Sequence, residues 1–563
     1  MILRLTFCLV LLLVAALGIY ETRPPAALGL SAPPAQFSAA RAISSLAHFA
    51  TEPHPTGSAA NERVRLYLVA TLRRLGAEVE VEKLIGRHLH RGVVRQGEVQ
   101  DIVARLPGVH NHRAVMLVAH YDSVPAGPGA GDDGAGVSTI LEVLRAVRAG
   151  PPLQNDLLIL LTDGEEAGLL GAAGFVVAHP DLAQRVGVLV NLEARGSSGP
   201  VLMFETSEGN GRLIRDLARA APYPLASSLM DTAYQFMPND TDLTELKKTG
   251  VDAFNFAFTE TDRNYHSPND TIANLDPRTV QQMGANVLGL VWHFGALPLM
   301  EVRAPDVTYF NWIGQRLIVY PRWVGWALAA TTFAPLLLAC RLGRREVRPR
   351  MSFASLGAFF ILLLFVSAGI LLPWSALRPV LGNSLGEGDT FGNLLLFLAL
   401  LGLGFLSGGL ILRRLSARLG APNLAAGMLL VTALLAMVVL YFLPGASYVL
   451  QWPALLGAGS LLLGLPADGP VGRAGWGMLS AVLVMLLLAP LGFLFFENLG
   501  LSLAGLGANA LLVSLLFATA WPAFDFLFGG QRQVTARAIS SSAAPRSSRP
   551  LRNPSAAPRN TNR

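Results

Sequence analysis

Two hydrophobic patterns divide the chain. In the front half, short apolar runs of five or six residues alternate with amphipathic stretches; in the rear half, apolar segments of about twenty residues follow one another. Residues 2–20, ILRLTFCLVLLLVAALGIY, precede both as one apolar run with Arg4 near its start. Such a run is long enough to cross a hydrocarbon core of about 30 Å. No small-x-small cleavage site closes it, so residues 1–22 are read as an uncleaved membrane anchor rather than a signal peptide. Residues 23–39 are a linker rich in Pro and Ala.

From 40 to 300 the pattern predicts a soluble α/β domain. PHPTGSAANERVRLYLVATLRRLGAEVE reads as a loop entering an amphipathic helix, and residues 77–106 as two or three strands. Buried strands are expected at 115–119, 157–161, 186–192, 201–205 and 253–258. Helices are expected at 134–148, near 167–178 and near 278–294. This alternation argues for a mixed or mostly parallel sheet covered by helices on both faces.

From 320 to 530 about seven apolar segments predict an all-α multispan membrane domain. The segment at 447–465 holds Pro453 and is a candidate re-entrant helix. The loops RLGRREVRPR and RRLSARLG are strongly basic, and the opposing loops are less so. By the positive-inside rule both basic loops are cytoplasmic. Counting back places the 40–300 domain on the extracytoplasmic side. Counting forward places residues 531–563 in the cytoplasm, as a disordered tail rich in Arg, Ser, Pro and Asn.

Composition agrees with this division. Of 563 residues, 52% are hydrophobic and 15% charged, against about 25% charged in an average soluble chain. The net charge of +6 is concentrated beside apolar segments and in the tail, so it sets topology. The expected partner is a lipid bilayer and not nucleic acid. Cys8 and Cys340 are the only cysteines, and both lie in apolar segments. A disulfide framework and a thiolate zinc site are therefore excluded, and any metal must be held by His, Asp and Glu.

The candidate chemistry sits at strand ends, where open α/β sheets bind ligands. The run at 115–119 ends in His120-Tyr121-Asp122. A loop rich in Gly and Pro then delivers Asp132 and Asp133 to the helix at 134. LLILLT ends in Asp163-Gly164-Glu165-Glu166, VLVNL ends in Glu193, and AFNFAF runs into a loop carrying Tyr265 and His266. Each alone is an ordinary turn or, for Glu165-Glu166, a helix start. Together they supply what a two-metal hydrolase needs, a carboxylate able to bridge two ions and terminal ligands for each. Imidazole and carboxylate without thiolate suit zinc, with manganese or cobalt as substitutes. Of the adjacent glutamates, one can coordinate metal while the other handles protons. Asp122 is placed to orient His120.

In the order HYDS, GAGDDGAG, TDGEEAGLLGAAGF, VNLEARG, NYHSPNDT, these motifs resemble the signatures of the co-catalytic zinc exopeptidases of the MH clan, the family of secreted bacterial aminopeptidases. PHPTGSAANERVRLYL, the Glu of NLE where secreted members carry Asp, and the multispan rear half are similar to the vacuolar-membrane and endoplasmic-reticulum metallopeptidase branch. The resemblance implies two zinc ions per chain. His120 and Glu193 would end on different metals, Asp132 would bridge, and Glu166 and His266 would complete the shells. It makes Glu165 the general base, Asp122 the support of His120, and Tyr265 a stabiliser of the developing oxyanion. The implied activity is hydrolysis of peptides by an aminopeptidase whose active site faces the periplasm, or a vacuolar or endoplasmic-reticulum lumen. Three alternatives stand beside it: a one-zinc acyltransferase like glutaminyl cyclase, a non-catalytic receptor or scaffold on the same fold, and a transporter. The long segments carry few internal charges, which argues against the last.

Overall fold

The computed structural model describes residues 2–90, 92–110, 113–300, 302–342, 349–381, 391–466 and 469–528. The expected cytoplasmic tail, and most of the basic loop at 341–350, lie outside these residues. The front half holds α1 (Ile2–Tyr20), α2 (Ala39–Leu46), α3 (Ala59–Arg74), β1 (Glu78–His90), β2 (Val93–Leu106), β3 (Ala114–His120), α4 (Gly134–Arg148), β4 (Leu157–Thr162), α5 (Leu170–Ala178), α6 (Leu182–Arg185) and β5 (Val186–Ala194). It continues with β6 (Leu202–Thr206), α7 (Gly211–Ala220), α8 (Ser228–Tyr234), α9 (Asp242–Leu246), β7 (Ala253–Phe258), α10 (Pro277–Ala296), β8 (Val307–Asn311) and β9 (Leu317–Pro321). The rear half is helical: α11 (Arg322–Leu342), α12 (Phe353–Leu381), α13 (Phe391–Leu419), α14 (Ala421–Phe442), α15 (Tyr448–Gly464), α16 (Gly469–Leu499) and α17 (Leu503–Phe528).

Seven strands form one mixed sheet in the order β1-β2-β4-β3-β5-β7-β6. The central four, β4, β3, β5 and β7, run parallel, and the outer strands pair antiparallel. Every residue of β3 and β5 is buried. That is why these runs read as continuous apolar stretches and not as alternating ones. Their side chains still part by a period of two. Val115, Leu117 and Ala119 join α2, α4 and α10 in one core, while Met116 and Val118 meet α5, α6 and α9 on the opposite face. Burying each of the Val, Leu and Met side chains among these contributes roughly 1.5–3 kcal/mol. From β3 the chain crosses to β4 on one side and then, after α5 and α6, to β5 on the other, which makes the end of β3 the switch point of the sheet.

Local signals set the helix starts. Ser58 accepts from the Asn61 amide and caps α3, while Asp276 accepts from the Arg278 amide ahead of Pro277 in α10. The stretch at 77–106 forms two long strands, paired from Glu78–Arg105 to His90–Val93.

Among the described residues, six helices of the rear half are long and apolar enough to cross a membrane, and α1 and α15 are shorter apolar helices. This half is a multi-pass membrane unit. Expected segment 447–465 forms α15, a 17-residue helix with Pro453 inside it. α1 packs into the bundle, with Phe7 edge-on to Phe524 at 5.6 Å and Gly18 against Pro490. The β8–β9 hairpin serves both halves: Tyr309 enters the α/β core, whereas Phe310 and Tyr320 enter the helical one. Phe310 stacks on Tyr448 at 4.2 Å, and the Trp312 indole donates to the Leu483 carbonyl at 3.0 Å. Arg23 bridges the halves from the linker, paired with Glu260 at 2.6 Å and lying over the Phe493 ring.

Candidate active site

Four neighbouring strands deliver their carboxyl ends to one place. His120 is the last residue of β3, and Glu193 is next to last in β5, opposite Ala257 of β7. Beyond β4, Gly164 takes φ +78, a backbone conformation open to glycine. The turn it makes presents Glu165 and Glu166, both half-buried, while α5 begins only at Leu170. The pair is thus part of a turn and not of a helix start. The loop after β7 brings Tyr265 and His266, and the loop after β3 brings Asp132.

All five side chains expected as ligands converge. His120, Asp132 and Glu193 form one group, and Asp132, Glu166 and His266 another, with donor atoms of each group within 4.8 Å of one another. Asp132 is common to both. Its Oδ1 is 3.1 Å from His120 Nε2 and its Oδ2 is 3.1 Å from His266 Nε2. Glu193 Oε2 lies 3.9 Å from His120 Nε2, and Glu166 Oε1 lies 3.0 Å from His266 Nε2. His120, Glu165 and Glu166 form a third such group. The Tyr265 ring stacks on His266 at 3.7 Å, and His266 itself holds φ +52, a conformation L side chains adopt rarely.

Buried polar contacts fix these positions. Asp122 does more than face His120. Its backbone carbonyl is 3.0 Å from His120 Nδ1 and its Oδ1 3.6 Å from the same nitrogen. Its carboxylate also accepts the Glu165 amide at 3.1 Å, the Glu166 amide at 3.2 Å and the Thr56 hydroxyl at 3.1 Å. Asp270, which the sequence reading did not single out, accepts the amides of Gly131 at 2.6 Å and Asp132 at 3.1 Å, and so ties the Asp132 loop to the His266 loop. Asn191 donates to Glu193 and to Asn255. Asp133 caps α4 through the Gly136 amide. His54 is buried, with its backbone amide donating to the Ser123 hydroxyl at 2.9 Å, which lays the PHPTG loop beside HYDS. Asp242 was also missed. It is buried at the start of α9 and accepts from the Thr162 hydroxyl. Nothing in the local sequence TDLTEL distinguishes it from a helix cap.

The charge balance of the cluster favours a cation. Burial, opposed by His120 and aided by Asp132, pushes Glu193 up to about 8. Burial and Asp132 push Glu166 up to about 7. Glu165 is raised well above its usual range by burial, with Glu193 and Glu166 adding. The imidazoles go the other way. Against burial, the Asp122 and Asp132 carboxylates raise His120, and Asp132 and Glu166 raise His266 to about 9. Asp132, despite burial, is held below the usual carboxylate range by the two histidines. The raised imidazoles mark a surplus of carboxylates around them, the setting in which a cation would be held. Glu166 Oε1 is buried without a hydrogen bond although His266 Nε2 is close. The donor atoms of the cluster converge as those of a ligand set do. An all-nitrogen-and-oxygen donor set of this kind fits zinc.

The cluster opens into a cavity of about 550 Å³. Asp132, Glu165, Glu166, Glu193, Tyr265 and His266 are among the residues that line it.

Residues 101–291 match the family model described as Peptidase family M28. The chain is 29% identical over 338 residues to endoplasmic reticulum metallopeptidase 1 of Mus musculus, covering 56% of this chain and 37% of that one. It is 30% identical over 270 residues to the vacuolar membrane protease of Candida albicans, covering 47% and 31%. The matched region thus spans under two fifths of either relative. Among solved structures, a zinc aminopeptidase from Bacillus subtilis aligns over 48% of this chain and 99% of its own, with TM-score 0.38 and 17% identity. The glutaminyl cyclase of Porphyromonas gingivalis aligns over 45% and 98%, with TM-score 0.37 and 20% identity. Over residues 101–291 the α/β unit thus matches peptidase family M28, and its curated relatives include membrane metallopeptidases.

Proposed function

We propose that this chain is a membrane-embedded exopeptidase working with two zinc ions, and within that class an aminopeptidase. The observation that carries the reading is Asp132, whose two carboxylate oxygens each face a different imidazole at 3.1 Å. A buried carboxylate so placed suits a bridge between two ions. One ion would be held by His120, Glu193 and Asp132, the other by His266, Glu166 and Asp132.

When bound, zinc supplies Lewis acidity toward a carbonyl oxygen and makes water a stronger acid. The chain's own residues supply the rest. Glu165 has no place in either of the two groups that share Asp132, and it accepts the proton of the attacking water and returns it to the leaving amine. Tyr265, pinned by its stack on His266 and held protonated by burial, donates a hydrogen bond to the oxyanion as it forms. Asp122 positions both ends of this machinery, the His120 ring and the Glu165-Glu166 amides. The free amine of a peptide, a cation, is drawn to the carboxylates of the cavity.

We also place the peptidase domain on the extracytoplasmic side and the C-terminal tail in the cytoplasm, from the basic loop that follows α11 and from the basic stretch expected as a loop, which forms the last turns of α13 with Arg413, Arg414 and Arg418.

The test is an assay of the purified full chain on aminoacyl and dipeptide substrates, with and without chelator, alongside metal analysis. Two zinc equivalents and hydrolysis abolished by chelator are expected. One zinc with cyclisation of N-terminal glutamine would move the chain to the acyltransferase class. Hydrolysis unaffected by complete metal removal would overturn the reading.

A further inference from the structure

Part of the cavity wall is apolar, and that part is held from the membrane side. Leu202 and Phe204 of β6 contribute, with Met230 and Tyr234 of α8 and Met237 just after it. Asn498, near the end of membrane helix α16, stands in the same wall. The seven residues of α8 divide its contacts. Met230 and Tyr234, four apart and so on one face, line the cavity, with Tyr234 edge-on to Phe204 at 4.8 Å. Asp231 accepts the Thr206 amide of β6 at 2.9 Å. Leu229 packs into the membrane core. Ser228 and Thr232 face the single turn at Pro444–Ala446 that links α14 to α15.

That last contact is close. The Ser228 hydroxyl donates to the Gly445 carbonyl at 2.7 Å, and the Ser227 hydroxyl is 2.8 Å from the Tyr448 hydroxyl. A Cβ at Gly445 would lie 2.6 Å from the Ser228 carbonyl oxygen and 2.6 Å from the Thr232 hydroxyl. The backbone of the membrane turn and that of α8 touch with no room for a side chain between them. α8 is thus held from three sides: by β6 at the edge of the sheet, by β8, where the Tyr309 amide donates to the Ser228 hydroxyl at 3.2 Å, and by the membrane turn.

We propose that the membrane unit is a structural part of the substrate cleft: the turn at 444–446 and Tyr448 seat α8, so that the membrane half sets the apolar wall against which the substrate's first side chain rests. Resting on the peptidase reading, this names the substrate class as peptides with an apolar first residue. Their amine meets the carboxylates and their side chain meets Met230, Tyr234 and Phe204. A methylene in or out of such a pocket is worth about 10–200-fold in discrimination.

Two substitutions in the full chain test it. Gly445→Val wedges the turn from α8. Tyr448→Phe removes one hydrogen bond and keeps the ring that stacks on Phe310. For each, backbone hydrogen exchange of residues 228–237 and the ratio of kcat/KM for leucyl over alanyl anilides are compared with the unsubstituted chain. Faster exchange in that segment is expected in both. The ratio should fall at least tenfold in Gly445→Val and about twofold to fivefold in Tyr448→Phe, with zinc content unchanged. If Gly445→Val fails to fold, Tyr448→Phe carries the test. Unchanged exchange, or a ratio that stays the same in folded variants, overturns the proposal. If neither anilide is cleaved by the unsubstituted chain, the peptidase reading falls, and exchange alone still decides whether the membrane turn seats α8.

Discussion

Asp122→Asn probes the least replaceable contact in the site. The two oxygens of Asp122 have separate duties. Oδ1 accepts the Glu165 amide at 3.1 Å, and Oδ2 accepts the Glu166 amide at 3.2 Å together with the Thr56 hydroxyl. The side chain is buried. An amide at this position offers one oxygen, so whichever way it turns, one of the two N–H groups faces an NH2. Leaving a buried donor unmet costs about 1–3 kcal/mol. The turn can avoid that penalty only by moving, and moving it carries Glu165 and Glu166 off their positions. If the whole penalty falls on the reacting geometry, kcat/KM drops by roughly 5- to 160-fold, at about 1.36 kcal/mol per tenfold. The assay is kcat/KM on the preferred aminoacyl substrate, with thermal unfolding and zinc content measured on the same preparation. A loss divided between turnover and melting temperature is consistent with the reasoning. A variant within twofold in kcat/KM and with unchanged melting would refute it, because the carboxylate would then not be holding the turn.

Three further outcomes follow from the same geometry. Glu165→Gln should keep zinc content near normal while turnover falls by about 10²–10⁴-fold or more, whereas Glu166→Gln should lose zinc along with activity; equal zinc loss in both, by metal analysis, would reverse the two roles. Reporter fusions after Leu299 and after Gly530 should report extracytoplasmic and cytoplasmic positions, and a cytoplasmic signal at the first would overturn the topology. In α14, Gly427→Ala would place a Cβ 2.3 Å from the Ser355 carbonyl oxygen, so melting in detergent should show a loss of about 1–3 kcal/mol. Gly459→Ala in α15, with nothing within 4 Å, should leave melting nearly unchanged.

His120 and Glu193 were legible because strand ends write themselves plainly, and the loops beyond the same ends drew attention to Asp132, Glu166 and His266. A fully buried strand is an apolar run, and a charged residue at its end has few structural reasons to be there. Glu193 illustrates this, standing inside a nine-residue strand with every position buried. The supporting residues were less legible, since their partners are distant in sequence. Asp270 acts on amides 138 and 139 residues away, and Asp242 on a hydroxyl 80 residues away. Neither periodicity nor spacing carries such pairings. The turn of Glu165-Glu166 resembled a helix start because acids favour first turns; Gly164 and the delayed onset of α5 decide otherwise. The contact between α8 and the membrane turn was invisible for a related reason. Gly445 lies in a plain Pro-Gly turn, and only packing reveals what it leaves room for.

The glycines of the Asp132 loop constrain how this site can be altered. A Cβ at Gly127 would lie 2.2 Å from the Ser267 carbonyl, and one at Gly131 2.6 Å from the Gly196 carbonyl. Three loops, issuing from β3, β5 and β7, therefore run backbone against backbone. None can be lengthened or exchanged by itself, because the space it would need is occupied by the main chain of another. Sequence change here is epistatic: a substitution in one loop becomes acceptable only after the other two have shifted. Grafting a loop from a relative into this chain should fail singly and succeed as a set of three.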